Sequence, residues 1–550
     1  MFKKYVQKNI FTKIKFNSQF NWKQSWVWII LIATCLLRLF WSANFPIGND
    51  EAYYWDWSRQ LQLSYVDAPP FVAWIAFLGG LLFSGEIGVR LFIPIFYFFT
   101  TIFLILCARE IEIIKNRQLT NETVISIFIL SQLIPIFSLE GMMLIPDGPL
   151  LFGISGALFY LLKANRKALH KNSSLAIKDG LLLGIFLGLA GLSKYHALPI
   201  SIGFFIATLV FRGISASIKD YKFWFVAIFV SIVISSPVFV WNYNNNYASF
   251  RFQSQHGFSD FNFSFYTIFK FFLGISLYLM PWFFISLLYF SFKELKKNKY
   301  YNSPAIFSII PFYFLFLIIL ISSMGKQTLA HWVMPGFLLL IPAFAINWKP
   351  LQSKYKSIWK KLFYLSFAIS IIIPTLLSFN FINNFIIRNY AYINGNSDTL
   401  FQFYIWKDLE IFMQDQQNIL LSLNEYKQNE LVSKKCDNDY EIASLKWFWT
   451  AQMAFHFKHQ PKIYNFDFDN SSFYTWRDKL YELAECKIII VGSQDHFQAN
   501  EIFKIMNVEE IKKFTLSPYT GKNIVFIKGS LKEEGVLRKI YENTLINIRY

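Results

Sequence analysis

The chain has 550 residues, 54% of them hydrophobic and 20% aromatic, with 16% charged and a mean hydropathy of +0.34. A soluble protein carries about 25% charged residues, so a water-soluble globule is excluded and a polytopic membrane protein is expected. The net charge of +18 does not read as a nucleic-acid surface, because the basic residues gather in short segments between apolar runs, which is a topology signal.

Residues 1–25 hold Lys3, Lys4, Lys8, Lys13, Lys15 and Lys23 and no acid, and are expected to flank the membrane on the cytoplasmic side. Trp26 to Phe45 then carries one charge, Arg38, over about twenty residues, close to the length that crosses a bilayer. No small-residue cleavage site follows it, so it reads as an uncleaved anchor. Directly after it stands Asp50-Glu51-Ala52-Tyr53-Tyr54. Two carboxylates at a membrane exit cost desolvation free energy unless they are wet or paired, which makes them a functional-site candidate. A hydrated acidic loop is the plain alternative.

Residues 69–84 are apolar but short, open with Pro69-Pro70 and contain Gly79-Gly80. A crossing there would put Arg109, Lys115 and Arg117 outside, against the positive-inside bias. Residues 43–84 are therefore read as one long outer loop with a shallow or re-entrant helix, tolerated where protein or a wet cavity covers it. Further helices are expected at 90–108, 123–141, 148–162, 180–193, 196–211, 223–241, 266–291, 304–323, 332–347 and 362–380. Lysine- and arginine-rich segments such as Lys163–Lys178 and Lys349–Lys361 mark the inner side. The total is about eleven to thirteen spans, with residues 26–380 as the transmembrane domain.

Beyond about residue 390 charged residues return among short apolar stretches. Lys487–Val491 and Asn523–Ile527 read as strands, and 441–458 as helical. Residues 381–550 are expected to form an outer, soluble α/β domain. Cys436 and Cys486 both fall in it; a disulfide and two separate thiols are both open. There is no CxxC pair among the four cysteines and no internal repeat.

This threading puts Asp50, Glu51, Asp67, Asp147, Lys194, Arg251, His256, Lys326 and His331 on the outer side. A carboxylate there can act as general base on an acceptor hydroxyl, and cations can neutralise a phosphate that is bound or leaving. No GxxxxGK[ST] or GxGxxG stands in a suitable place, so nucleotide binding is unsupported and the phosphate is expected from a lipid. Each residue also has a plainer reading. Tyr53, Tyr54, Trp55 and Trp57 suit an interfacial belt. A helix cap alone accounts for Asp147 in Pro146-Asp147-Gly148-Pro149. Lys194 and Lys326 suit lysines that snorkel to headgroups, and Arg251 suits a solvated loop. His256 and His331 lack the spacing of a metal motif, and polar or packing roles are preferred.

The ordered series of these motifs resembles the GT-C membrane glycosyltransferases. More narrowly, it is similar to the bacterial branch related to protein O-mannosyltransferases and to the lipid A aminoarabinose transferase. The likeness begins at Asp50–Trp55 and Asp67–Trp74. It continues through Gly88-Val89-Arg90-Leu91, Pro146–Leu150, Gly191–Tyr195, Trp241-Asn242, Ala248–Gln253, Lys326 and His331–Gly336, and reaches Thr450–Phe455 and Phe473–Trp476. It implies a GT-C fold, an inverting transfer from a polyprenyl-phosphate-linked sugar, and a site at the outer face of the bacterial cytoplasmic membrane, with the C-terminal domain periplasmic. By position, Asp50 matches the catalytic aspartate of the first outer loop, Glu51 its neighbour in the motif and Asp147 a second loop acid, and all three are assigned to catalysis. Lys194 and Lys326 match cations near the donor phosphate, and Arg251 is assigned with them. Tyr53, Tyr54, Asp67, His256 and His331 are expected to line the substrate cavity. Relatives often have a histidine between the acid and the two prolines, where this chain has Ala68.

The expected partners are a polyprenyl-phosphate-sugar donor, membrane lipids, and lipid A, another envelope glycolipid or a protein as acceptor, with no nucleic acid. No cofactor or metal site is assigned, and divalent-metal dependence is left open. A flippase for a lipid-linked glycan is the competing class. It is disfavoured because the charges gather at one face and no duplicated half is visible.

Overall fold

The computed structural model describes residues 18–258, 263–297, 300–325, 328–350, 353–379, 406, 409–410, 436, 440–466, 479–497, 499–515 and 523–549. It separates into two compact units. The first comprises Met1–Ser42, Leu91–Pro237 and Ser254–Thr375; the second comprises Ala43–Arg90, Val238–Gln253 and Leu376–Tyr550.

Among the described residues, six helices are long and apolar enough to cross a membrane: Ser25–Asn44, Gly85–Ile114, Tyr221–Asn244, Ile306–Gly325, Ala330–Asn347 and Lys356–Leu377. A seventh arises if Phe265–Leu279 and Pro281–Leu295 count as one span. The expected single helix 266–291 is thus two, bent by 106°. Pro281 has no N–H to continue the ladder, and Met280 takes φ 64° at the break. The expected helix 123–141 is likewise divided, into Asn121–Gln132 and Pro135–Glu140, again at a proline. The helix expected at 148–162 runs from Asp147 to Lys171, past the point where its sequence turns basic.

In the first unit the basic segments hold ion pairs that tie neighbouring helices together. Arg166 binds Glu110 and Lys167 binds Asp179 at 2.9 Å, joining Asp147–Lys171 to Phe92–Ile114 and to Ile177–Ser193. Arg38, the lone charge of the first helix, is 2% exposed. It donates to Gln132 Oε1 at 2.6 Å and lies 4.6 Å from the Tyr97 ring centre. Desolvation is offset here by a charge-assisted bond and a cation–π contact.

Lipid gives helices no hydrophobic reason to associate, so close packing has to supply it. Gly180, Gly184 and Gly188 recur every four residues on Ile177–Ser193 and admit the helix Tyr221–Asn244. A Cβ at Gly184 would stand 2.6 Å from the Ala227 carbonyl oxygen and 2.9 Å from Val230 Cβ. Gly184→Leu is expected to part these helices and cost about 1–3 kcal/mol or more of stability. Thermal unfolding in detergent checks it; an unchanged midpoint contradicts this packing.

The second unit is built around a five-stranded sheet in the order β2-β1-β3-β5-β4. The strands are β1 (Glu441–Ser444), β2 (Tyr464–Asn465), β3 (Lys487–Ser493), β4 (Met506–Thr515) and β5 (Asn523–Leu531). β1 runs parallel to β2 and β3, while β3–β5 and β4–β5 are antiparallel. The expected strands at 487–491 and 523–527 are therefore present and adjacent. Ile488, Ile489, Ile490 and Val491 are all buried, as a strand covered on both faces requires. The expected helix over 441–458 is corrected: 441–444 is a strand, and the helix is Trp447–His456. All four β1 residues are buried between parallel neighbours, and Lys446 remains extended before the helix begins. Cys436 and Cys486 form a disulfide with Cα atoms 5.7 Å apart.

Trp447–His456 packs on the short helix Asn49–Ser58 within this unit. Trp447 meets Tyr53 at 5.1 Å between ring centres, and Phe455 meets Trp55 edge-on at 5.0 Å. Gln452 Nε2 donates to the Ile47 carbonyl and to Asn49 Oδ1 at 3.2 and 3.1 Å. The acidic motif thus rests on the C-terminal region through specific bonds.

Candidate active site

Two groups of sequence-marked residues stand out, one in each unit. In the first unit, Asp147 opens the helix Asp147–Lys171. The helix-cap reading of this residue does not hold, because Pro146 is the cap and makes no side-chain cap bond. Lys194 Nζ instead donates to both Asp147 oxygens at 2.8 Å. The side chains are 14% and 3% exposed, so the lysine does not simply reach for headgroups. Lys194 sits at the extended residue ending Ile177–Ser193, before the Ala197–Arg212 helix. That position presents a long side chain from a two-helix turn.

His331, in the short helical turn Ala330–Val333, acts electrostatically on Asp147, as does His196. Tyr278 meets the His331 ring edge-on at 6.2 Å. His196 also lies within electrostatic reach of Lys194. Glu140, the last residue of Pro135–Glu140, is fully buried and within electrostatic reach of Asp147 and Lys194. Sequence reasoning passes over both His196 and Glu140. The histidine stands two residues from Lys194, whereas Glu140 is hidden as one acid inside an apolar run.

In the second unit, Asp50 is exposed in the first turn of Asn49–Ser58. Glu51, its neighbour, is fully buried and bonded on both oxygens. Arg90 Nε and Nη2 donate to Glu51 Oε1 and Oε2 at 2.6 Å, and the Gly48 N–H donates to Oε2 at 3.0 Å. Arg90 also donates to the carbonyls of Phe45 and Pro46 at 2.5 and 2.9 Å. This arrangement fixes the start of the helix that carries Asp50.

The motifs that follow converge on the same unit. Tyr53 Oη donates to Asp67 Oδ2 at 2.6 Å, and Tyr54 stacks edge-on against Trp57 at 4.9 Å. Gln253 Nε2 donates to the Asp67 carbonyl at 2.8 Å. Asn242 Oδ1 accepts from Ser249 N and Oγ at 3.2 and 2.9 Å, shaping the turn before the helix that bears Arg251. Arg251 donates to the Asn246 carbonyl. Ala68, where relatives often have a histidine, is 5% exposed. The side chain of His256, Lys326 as a whole, and Phe473–Trp476 lie outside the described residues.

Residues 67–241 match the family described as dolichyl-phosphate-mannose-protein mannosyltransferase. The chain is 28% identical over 204 residues to the lipid A galacturonosyltransferase RgtD of Rhizobium johnstonii, an alignment covering 37% of this chain and 40% of that protein. Its fold matches ArnT from Cupriavidus metallidurans, solved bound to undecaprenyl phosphate, with a TM-score of 0.60 at 13% identity. That match covers 92% of this chain and 98% of the other. The apo form of the same protein gives a TM-score of 0.57 at 15% identity, with the same coverage. The resemblance read from the sequence is borne out at the level of the GT-C fold and the matched domain.

Proposed function

We propose that this chain, a GT-C-fold member of the ArnT-like glycosyltransferases, moves one sugar from a polyprenyl-phosphate-linked donor to lipid A or a related envelope glycolipid. The reaction takes place at the periplasmic face of the bacterial cytoplasmic membrane, with the N-terminus cytoplasmic. The reading is carried by the Lys194–Asp147 pair, a shielded cation between two apolar helices whose charge is balanced by one acid. A lipid phosphate draws such an ammonium more strongly than a surface lysine, because little water competes for it. Undecaprenyl phosphate bound to the structurally similar ArnT, and the lipid A named for the similar RgtD, support the donor and acceptor classes. The Cys436–Cys486 disulfide supports an oxidising compartment for the C-terminal region.

The acceptor oxygen attacks the anomeric carbon from the side opposite the phosphate. The bond from that carbon to the phosphate oxygen breaks with inversion, and polyprenyl phosphate leaves with the electron pair. Lys194 neutralises the leaving phosphate, with Lys326 and Arg251 assigned to the same task. An acceptor hydroxyl loses its proton to Asp50; an acceptor phosphate is already anionic, and Asp50 then orients it. Glu51 acts on this chemistry only by holding Asp50's helix in place.

The family matched by residues 67–241 is described by a protein acceptor, which keeps protein O-glycosylation as the second reading. Asp50→Asn tests the role of the base. With a hydroxyl acceptor, transfer is expected to fall about a hundredfold or more; with a phosphate acceptor, less than about tenfold. The linkage in the product, read by mass spectrometry, identifies which case applies. Near-full activity on a hydroxyl acceptor contradicts base catalysis by Asp50.

A further inference from the structure

The Lys194–Asp147 pair balances its own charge, and Glu140 adds a third ionisable group to it. Glu140 is 0% exposed, and neither carboxyl oxygen has a hydrogen-bond partner among the described residues. Its backbone is fixed: a Cβ on Gly148 would stand 3.0 Å from the Glu140 carbonyl oxygen, so the carbonyl abuts the first turn of the Asp147 helix. The following Gly141 is equally confined, since a Cβ there would meet Arg38 Nε at 2.6 Å and Tyr97 Cγ at 2.8 Å. Ser42 Oγ donates to the next carbonyl, Met142, at 3.3 Å. The backbone that carries the carboxyl is therefore held in a packed turn.

An ionised carboxylate in that position is closed off from bulk solvent and has no hydrogen-bond donor among the described residues. Its charge also matters to the neighbours. Two carboxylates and one ammonium leave one net negative charge beside an anionic ligand. A neutral Glu140 leaves none, and Lys194 is then able to turn from Asp147 toward a phosphate without facing a net repulsive site.

We propose that Glu140 is held as a neutral acid beside the Lys194–Asp147 pair and is a positioning residue that keeps the phosphate subsite free of net negative charge. This rests on the reading of Lys194 as the donor-phosphate cation. Glu140 touches neither donor nor acceptor in this scheme; it acts through Asp147 and Lys194.

Asp147 and Lys194 act on Glu140 directly. Tyr97 on Phe92–Ile114 is within electrostatic reach, its hydroxyl donating to the Ser131 carbonyl, with Arg38 over its ring. His196 and His331 act on Asp147. The helix Phe265–Leu279 contributes Lys270, which lies over Tyr266, and Tyr278, which meets His331. The segment Ala368–Ile372 contributes the uncharged Ser370, whose carbonyl accepts from Ser138 at 3.0 Å. Lys194 and Tyr97 both remain when Glu140 is replaced.

The test is the pH profile of the donor KM and of kcat for the parent enzyme and Glu140→Gln in detergent or membranes, with the polyprenyl-phosphate sugar as the varied substrate. At neutral pH the variant is expected within about twofold of the parent in both constants, since a neutral amide replaces a neutral acid. In alkali the parent's donor KM rises as Glu140 ionises, and this part of the rise is absent from the variant while kcat is unaffected. Infrared difference spectra of parent minus variant give a reading independent of turnover. A carboxylic-acid carbonyl band at neutral pH is expected, replaced by carboxylate bands in alkali. If Glu140→Gln does not fold, Glu140→Met carries the same expectation.

Carboxylate bands at neutral pH, identical alkaline limbs, or a folded Glu140→Gln inactive at every pH each overturn the proposal. A parent that transfers no sugar to any acceptor instead overturns the functional reading, and the infrared result still decides the state of Glu140.

Discussion

Lys194→Ala is expected to lower sugar transfer by about a hundredfold or more, the scale on which removal of one preorganised charge partner weakens a developing anion. The loss falls on kcat/KM for the donor, because the same cation holds the phosphate before and during its departure. The substitution also leaves Asp147, 3% exposed, as an uncompensated buried charge. Breaking such a pair costs about 3–5 kcal/mol. Stability and activity separate in the double variant Lys194→Ala with Asp147→Ala. It is expected to recover much of the thermal midpoint but none of the transfer. Thermal unfolding in detergent beside a membrane transfer assay checks both parts. Recovery of activity in the double variant contradicts a phosphate-binding role for Lys194.

Arg90→Ala is the second large effect, and it acts through structure. Arg90 and Glu51 are both 0% exposed, and the guanidinium also holds the Phe45 and Pro46 carbonyls. Truncation strands Glu51 in the interior and frees the chain entering Asn49–Ser58. The expected cost is again about 3–5 kcal/mol. Arg90→Lys is expected to rescue little, because an ammonium cannot span two carboxylate oxygens and two carbonyls as the planar fork does. Limited proteolysis of the second unit and its thermal midpoint test this. A variant as protease-resistant as the parent removes the anchoring role. Activity falls along with stability, since Asp50 lies in the first turn of the helix so held.

The membrane character and several local assignments are legible in the sequence for physical reasons. An apolar run of about twenty residues matches the hydrocarbon thickness of a bilayer, and the Ile488–Val491 run marks a buried strand. The motif order from Asp50 to His331 carries the resemblance to the GT-C glycosyltransferases. What the sequence hides is mostly pairing. Nothing local distinguishes Lys194 bound to Asp147 from a lysine at a headgroup, or a buried Glu51 from its exposed neighbour Asp50. Arg90, visible only as part of a motif, proves to be the partner that buries Glu51. Prolines 135 and 281 are plain to see, yet hydropathy averages over them and reads two helices as one. Glu441–Ser444 merges with the following helix in a sequence reading because four residues are too few to show a period.

Transfer by Lys194 is tested most directly in cells lacking the chain beside cells carrying the parent or Lys194→Ala at equal level. Lipid A, other envelope glycolipids and polyprenyl-phosphate sugars are read by mass spectrometry. A one-sugar mass increment on a glycolipid is expected in the parent cells alone, with the matching polyprenyl-phosphate sugar rising in the other two. An unchanged set of glycolipids, with folded protein in the membrane and no change in the polyprenyl-phosphate pool, contradicts it.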